Sequence, residues 1–490
     1  MIMNVAPGSE TSVPCALPLH EWMMAAVDTM AGVSACPALA GGLLQLSTCV
    51  DQEYLREQCP HRVTLRDGDP RLSALPDGDP HLPILSSGNS HLPTSSARDP
   101  HLSTSLISGS APEVVVRSSV LPSPRLTQLL EGISYPGVSD NPPQPPPWLD
   151  REMFNRGRKF YQRYLYCLCF TDLLSLVMTL SAERALKPLI YTGRSDTPIK
   201  ALRRYFSTLL HLITWFTGDV WEPSHPAHKD ILAIRSIHCK LAQTFNNSAC
   251  NEKLSTISVA KKGHEEPADS LNSAIRQDLQ RVAEDTLPTE TSDGPVVYIN
   301  QLDMSLTQYA FMGLVVAHPE KLGTGSATEE EMAGLIHFWR GLGWLMGIED
   351  QYNFCSGTVA ETKALCLEVE RLIFIPLLAK VDWNYEHMAT SLIKGMSYIV
   401  PATSYPAMFR YLAYTLDIAV PTFVSKMSYR HSFHYWVMRC TFALILLVPC
   451  LLLLLNYMFN SLIDKLQKDN SKFKLTMSGG SKSVATPSDH

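Results

Sequence analysis

Residues 160–180 read FYQRYLYCLCFTDLLSLVMTL, and the spacing of their apolar positions decides the fold class. Phe160, Tyr164, Leu165, Leu168, Leu173, Leu176, Val177 and Leu180 recur mostly three or four residues apart, the interval that stacks side chains on one helix face. A half-buried strand would instead alternate by two. Comparable segments follow near 199–217, 229–245, 299–317, 328–347, 359–380, 385–400 and 404–416, with few β-branched alternations. Ser326–Glu330 places a Ser/Thr cap before an acidic first turn, and Pro401 and Pro421 punctuate the end. The pattern predicts an all-helical domain over 148–430. Charged residues at Lys261, Lys262, Glu265, Glu266 and Glu284 mark 246–296 as an exposed polar insert with one helix.

Outward from this domain the chain changes character at both ends. Of 34 prolines in 490 residues, 20 fall in residues 1–150, so the remaining 340 carry only 14. Asp69-Pro70-Arg71-Leu72 recurs every ten residues as Asp79-Pro80-His81-Leu82, Asn89-Ser90-His91-Leu92 and Asp99-Pro100-His101-Leu102. A polar ten-residue unit cannot bury a face against its neighbour, since stacked repeats run about 20 residues or more. Residues 1–147 therefore read as a disordered extension, closing on the polyproline tract before Trp148. The repeated histidines lack a regular element that would converge them on a metal.

At the other end, Thr441–Phe459 reads TFALILLVPCLLLLLNYMF, and no charged residue lies between Arg439 and Asp464. Nineteen helical residues cover about 28 Å, close to the hydrocarbon thickness of a bilayer. This predicts one transmembrane helix over 440–460 followed by a polar tail, 461–490. Basic residues are balanced across it, Lys426, Arg430 and Arg439 against Lys465, Lys468, Lys472 and Lys474, so they set no orientation.

Composition narrows function mainly by exclusion. A net charge of -6 without clustered Lys and Arg gives no polyanion-binding surface, so nucleic acid is not an expected partner. Twelve scattered cysteines include no CxxC pair, which disfavours a disulfide scaffold or structural zinc. No GxSxG elbow, Walker loop, HExxH or GxGxxG is present. His225 and His228 are closely spaced, but they lie in a proline-broken loop without a third ligand.

Unusual polar residues gather in two helical stretches. Arg204 and Thr208, four apart, share one helix face; Arg235 and His238, three apart, share another. An imidazole presented from an apolar helix can ligate haem iron, and guanidinium groups can offset the propionates. The second stretch runs from Gln301 to Gly313 and from His337 to Asp350. It pairs Asp303 with Thr307 and His337 with Arg340, and Gly343 with Gly347 forms an edge that lets a helix or a flat cofactor approach closely. Taken without further context, a helical histidine is more often a hydrogen-bonded core residue.

The run Arg204-xxx-Thr208, His238 thirty positions later inside ArgSerIleHis, and the AspMetSerLeuThrGln and HisPheTrpArgGlyLeuGly runs carry a resemblance. Over residues 150–420 the chain resembles the ER-bound oxygenase MpaB and rubber oxygenase (latex-clearing protein) catalytic-domain family, in its divergent animal-type form. The resemblance implies an all-α, multi-helix globular domain of haem-binding type, here with the C-terminal transmembrane helix. It also implies a haem b-dependent oxygenase that uses dioxygen on a lipophilic, isoprenoid-like substrate. By position it makes His238 the proximal iron ligand and Arg204 and Thr208 polar catalytic residues of the pocket; Arg235, on one face with His238, is a cofactor-binding candidate by its charge. His337 and Arg340 are the candidates for the second face of the cofactor. Two departures stand out: Ser207 occupies the position of the family's distal lysine, and Asp196 is the only acid between Lys187 and Arg203. The expected setting is a single-pass membrane protein of the endoplasmic reticulum, with the bilayer supplying the substrate. The alternative is a catalytically silent haem- or lipid-binding protein, or an interaction scaffold, of the same fold.

Overall fold

A computed structural model describes residues 121–259, 270–283, 287 and 296–479, with side chains to 468. The decapeptide repeats lie outside the described residues. Every regular element among the described residues is helical, and the only extended pairing is an isolated bridge between Pro136 and Asn300.

The stretch that opened the reading forms two helices, α2 (Arg151–Arg163) and α3 (Leu165–Thr179), which meet at Tyr164. Asp150 caps α2 by accepting from the N–H groups of Glu152 and Met153. Most of α3 is buried, from Leu165 through Met178, which explains why its sequence shows so little polar face.

Folded structure begins ahead of the expected boundary at residue 147. Helix α1 (Pro124–Glu131) is capped by Ser123, whose N–H and hydroxyl both donate to the Glu368 carboxylate at 2.6 Å. Leu126, Leu129 and Leu130 of α1 join the main core. The polyproline tract lies against the domain: Trp344 Nε1 donates to the carbonyls of Pro142 and Gln144 at 3.1 Å. Proline supplies no N–H, but its carbonyl is a full acceptor, so a proline-rich strand can still be anchored by donors from a helix.

Between α3 and the insert come α4 (Glu183–Thr192), α5 (Pro198–Thr217) and α6 (Pro226–Phe245). Each of the latter two starts with proline in the first turn, where a missing N–H costs nothing. Lys261, Lys262, Glu265, Glu266 and Glu284 lie outside the described residues, and the described part of the insert holds two helices where one was expected. It contains α7 (Ser248–Thr256) and α8 (Leu271–Leu279), which bury Cys250, Leu254, Ala274, Ile275 and Leu279. The buried Asp278 carboxylate accepts from the N–H groups of Thr422 and Phe423, at the start of a later short helix.

The central helices are α9 (Gln301–Ala317) and α10 (Glu329–Met346), both opened by capping boxes. Helices α2 and α10 touch backbone to backbone: a methyl group on Gly157 would fall on the carbonyl of Gly334. Gly157→Ala is expected to cost about 1–3 kcal/mol through overpacking, read as a lowered melting temperature with helix content retained. The glycine edge expected at 343 and 347 serves other ends. Gly343 makes room for the Gln308 and Asn353 side chains, and Gly347 ends α10 in the left-handed region at φ 95°.

Helix α11 (Val359–Val369) runs into a wide π turn, Glu370–Phe374, and then α12 (Ile375–Leu378). Pro376 cannot donate to the Leu372 carbonyl, which instead accepts from Leu287 N–H. Helices α13 (Trp383–Met396), α14 (Tyr405–Thr415) and α15 (Pro421–Ser425) complete the domain.

The membrane helix expected over 440–460 is not formed as one helix. Helix α16 (Tyr429–Leu447) stops, Val448 is extended at φ -131° and ψ 81°, and α17 (Pro449–Gly479) starts anew. Among the described residues no single helix is long and apolar enough to cross a membrane. The bent pair α3 and α4 meets the length and composition requirement together, across a 99° bend.

Candidate functional site

Helices α5 and α6 are tied together by Asp230. Its carboxylate accepts from Trp215 Nε1 at 2.7 Å and meets His211 Nδ1 at 2.9 Å. Moving about two turns from this tie, backward along α5 and forward along α6, brings Arg204 beside His238. Thr208 stands one turn from Arg204 on the same face, its hydroxyl donating to the Arg204 carbonyl at 3.3 Å. These three residues, grouped by the resemblance, thus lie on one helix pair.

Their electrostatics are unusual. Burial pushes the His238 imidazole down to about 4, and the Arg204 cation adds to the shift. The ring is thus neutral at physiological pH, and its buried Nδ1 has no hydrogen-bond partner. Burial also lowers the Arg204 guanidinium, and Arg194 contributes like-charge repulsion. No acid is paired with Arg204 among the described residues; its guanidinium lies 6.0 Å from the Tyr205 ring. A half-buried cation without a counter-ion beside a neutral imidazole whose Nδ1 has no partner is costly unless something fills the gap.

Haem b fits that donor set: iron takes one neutral imidazole nitrogen, and propionates bring the negative charge that Arg204 and Arg194 lack. A single histidine suffices for haem, so the fact that the described residues hold no cluster of three metal-ligating side chains does not bear on it. Arg204→Leu is expected to raise the melting temperature of the haem-free protein, because it removes an uncompensated charge, while weakening hemin affinity at least about tenfold. A variant that lowers both would mark Arg204 as a purely structural residue.

The other predicted residues are committed elsewhere. Arg235 donates to the carbonyls of Ser139, Asn141 and Leu345, pinning the segment ahead of the proline tract rather than facing His238. His337 accepts the Asp150 N–H at Nε2, 3.0 Å, and packs edge-on against Trp148. Arg340 forms a two-bond pair with Asp350 and stacks over the Trp148 ring at 4.0 Å. His337, Arg340 and Trp148 thus close the start of α2 onto α10. The i, i+3 spacing of His337 and Arg340 puts both on the face of α10 that meets Trp148. Ser207 is exposed, and Asp196 pairs with Lys200 at 2.9 Å. His225 caps α6 through Nδ1, and His228 Nδ1 bonds the Val220 carbonyl.

Two buried polar groups were not legible beforehand. In α3, Asp172 Oδ1 and Ser175 Oγ lack partners, and burial drives the Asp172 carboxyl well above the usual carboxylate range. In the second, Glu370 on the π turn accepts from Tyr309 OH at 2.8 Å and meets His318 Nε2 at 2.8 Å. Residues 61 and 52 positions apart carry no local signature of such contact.

No protein-family model and no curated relative matches the chain. Among solved structures it is similar to one described as the latex clearing protein LCP in the closed state, at 15% identity and a TM-score of 0.38. That likeness covers 66% of this chain and 76% of the other, and is distant enough that function has to be argued from this chain's own residues.

Proposed function

We propose that the domain is a haem b-dependent oxygenase that uses dioxygen on a lipophilic, isoprenoid-like substrate. The observation that carries this reading is the neutral, unpartnered His238 beside the unpaired Arg204. When bound, haem would supply the iron that activates dioxygen for attack on a carbon–carbon double bond.

The chain's own contribution is binding and exclusion of water. His238 offers a lone pair that needs no deprotonation at neutral pH. Arg204, with Arg194, balances carboxylates, and the low polarity around it strengthens that attraction. Tyr205, Phe206, Leu209 and Leu212, all buried on α5, keep the neighbourhood apolar, as an alkene requires. Thr208 holds its hydroxyl against its own helix and must rotate away from the Arg204 carbonyl to donate to dioxygen.

Titration of hemin into the full-length protein tests the reading. A sharp Soret band saturating near one equivalent is expected; no Soret shift overturns it. The exposed Ser207 and the self-bonded Thr208 favour one competitor, a haem-binding relative without turnover. Oxygen uptake by the hemin-loaded protein with a short polyisoprene oligomer separates the two, since the silent relative consumes none.

A further inference from the structure

The C-terminal pair α16 and α17 has two faces that do not match a water-exposed surface. Its inner face is locked to the domain. Phe442 packs on Phe170 and Tyr411, and the buried Asn456 side chain donates to the Arg163 carbonyl and accepts the Tyr166 N–H, at 2.7 and 2.9 Å. The outer face should then be polar. Instead Tyr429, Phe433, Trp436 and Leu447 on α16, with Leu453 and Tyr457 on α17, point outward; Tyr429 is 97% exposed, Leu447 77%, Tyr457 72% and Leu453 68%. Along each helix these positions follow three-and-four spacing. In α17 that spacing continues into exposed Asn460 and Asp464, where the stripe turns polar.

We propose that this stripe seats the domain on an anionic phospholipid surface, with α16 and α17 lying in the plane of the interface rather than crossing it. Charge argues for lipid over a second protein. No acidic residue lies between Asp417 and Asp464, while Lys426 and Arg430 stand at one end of the stripe and Lys465 and Lys468 at the other. Trp436, Tyr429 and Tyr457 combine an apolar ring with a polar handle, the chemistry of the headgroup boundary. In-plane seating follows from the lock. Inserting the pair as a span would strip Asn456 from two backbone groups and carry its unpaired amide into hydrocarbon, where it is costly. The break at Val448 and Pro449, a defect in a single span, is harmless for two helices lying on a surface.

Flotation of the full-length protein with vesicles tests this independently of haem, since protein content is the readout, so its failure is separable from failure of the hemin titration. The protein is expected to float with phosphatidylcholine vesicles containing about a third phosphatidylserine, and far less with phosphatidylcholine alone. Trp436→Ser, Leu453→Ser and Tyr457→Ser combined should cut the bound fraction at least about tenfold at an unchanged melting temperature. Should the triple variant melt early, Lys426→Glu with Arg430→Glu gives the second arm, with binding lost on anionic vesicles. Single cysteines at Lys426→Cys and Lys468→Cys, probed on sealed vesicles with a membrane-impermeant maleimide, should both react. The proposal fails if only one of them reacts, which means a span. It also fails if neither set of variants weakens flotation, or if the triple variant turns a lipid-free dimer into a monomer, which assigns the stripe to a second copy.

Discussion

His238→Ala protein titrated with hemin is expected to show no Soret band, with affinity reduced by about two orders of magnitude or more. Loss of the imidazole removes the iron bond itself, whereas Arg204→Leu removes only an electrostatic contribution. The helix should survive the change, because His238 makes no hydrogen bond to lose. Far-ultraviolet dichroism of the variant therefore serves as the control. External imidazole should restore part of the band, as a merely structural histidine would not allow.

The same residue sets a pH dependence in the haem-free protein. The folded imidazole titrates near 4, against 6.5 for an unperturbed histidine. Below about 6.5 the unfolded chain therefore takes up a proton that the folded one refuses, and stability falls as pH drops toward 4. Below that, both states hold the proton and this contribution levels off. In His238→Ala this part of the acid-side slope should vanish, which paired urea melts at pH 7 and 4.5 would register. An unchanged slope would mean that the imidazole is not held neutral. For the loaded protein the ligand stays deprotonated well below neutrality, so the Soret band of the wild type should persist at pH 5.

Glu370→Leu is expected to be the most damaging single change to stability, at about 3–5 kcal/mol. It strands the Tyr309 hydroxyl and His318 Nε2, each bonded to Glu370 at 2.8 Å inside the core, with no water to replace the carboxylate. It also places the loss on the π turn, whose geometry already departs from the ordinary ladder. Glu370→Gln keeps one acceptor and offers an amide donor, so it should cost clearly less. Equal losses for the two variants, measured by thermal or chemical unfolding, would show that packing rather than hydrogen bonding holds this cluster.

Local signals gave the helices their places, and the reasons are local. The capping box at Thr328 and Glu331 starts α10, and prolines at 198 and 226 open α5 and α6. What these signals miss is instructive. Helix α4 carries Pro188 in its interior, so its sequence argues against the helix that the packing imposes. Helix α1 lies in a proline-rich stretch whose composition reads as extension, yet three buried leucines hold it.

The candidate site divides in the same way. Helical spacing puts Arg204 and Thr208 on one face and the resemblance adds His238, but only the packing of α5 on α6 sets Arg204 beside His238. Arg235, His337 and Arg340 satisfy the same spacing, but their partners are Ser139, Asp150 and Asp350, which periodicity cannot reveal. Sequence likewise marked 441–459 as apolar; it could not show that Asn456 reaches back to Arg163 and Tyr166.

The amino-acid sequence by itself thus determined the helical class and the main helices, products of interactions within a few residues. Tertiary structure alone decided which polar groups lack a partner and which apolar face stays outside. Both depend on desolvation, and desolvation is set by what the rest of the chain brings alongside.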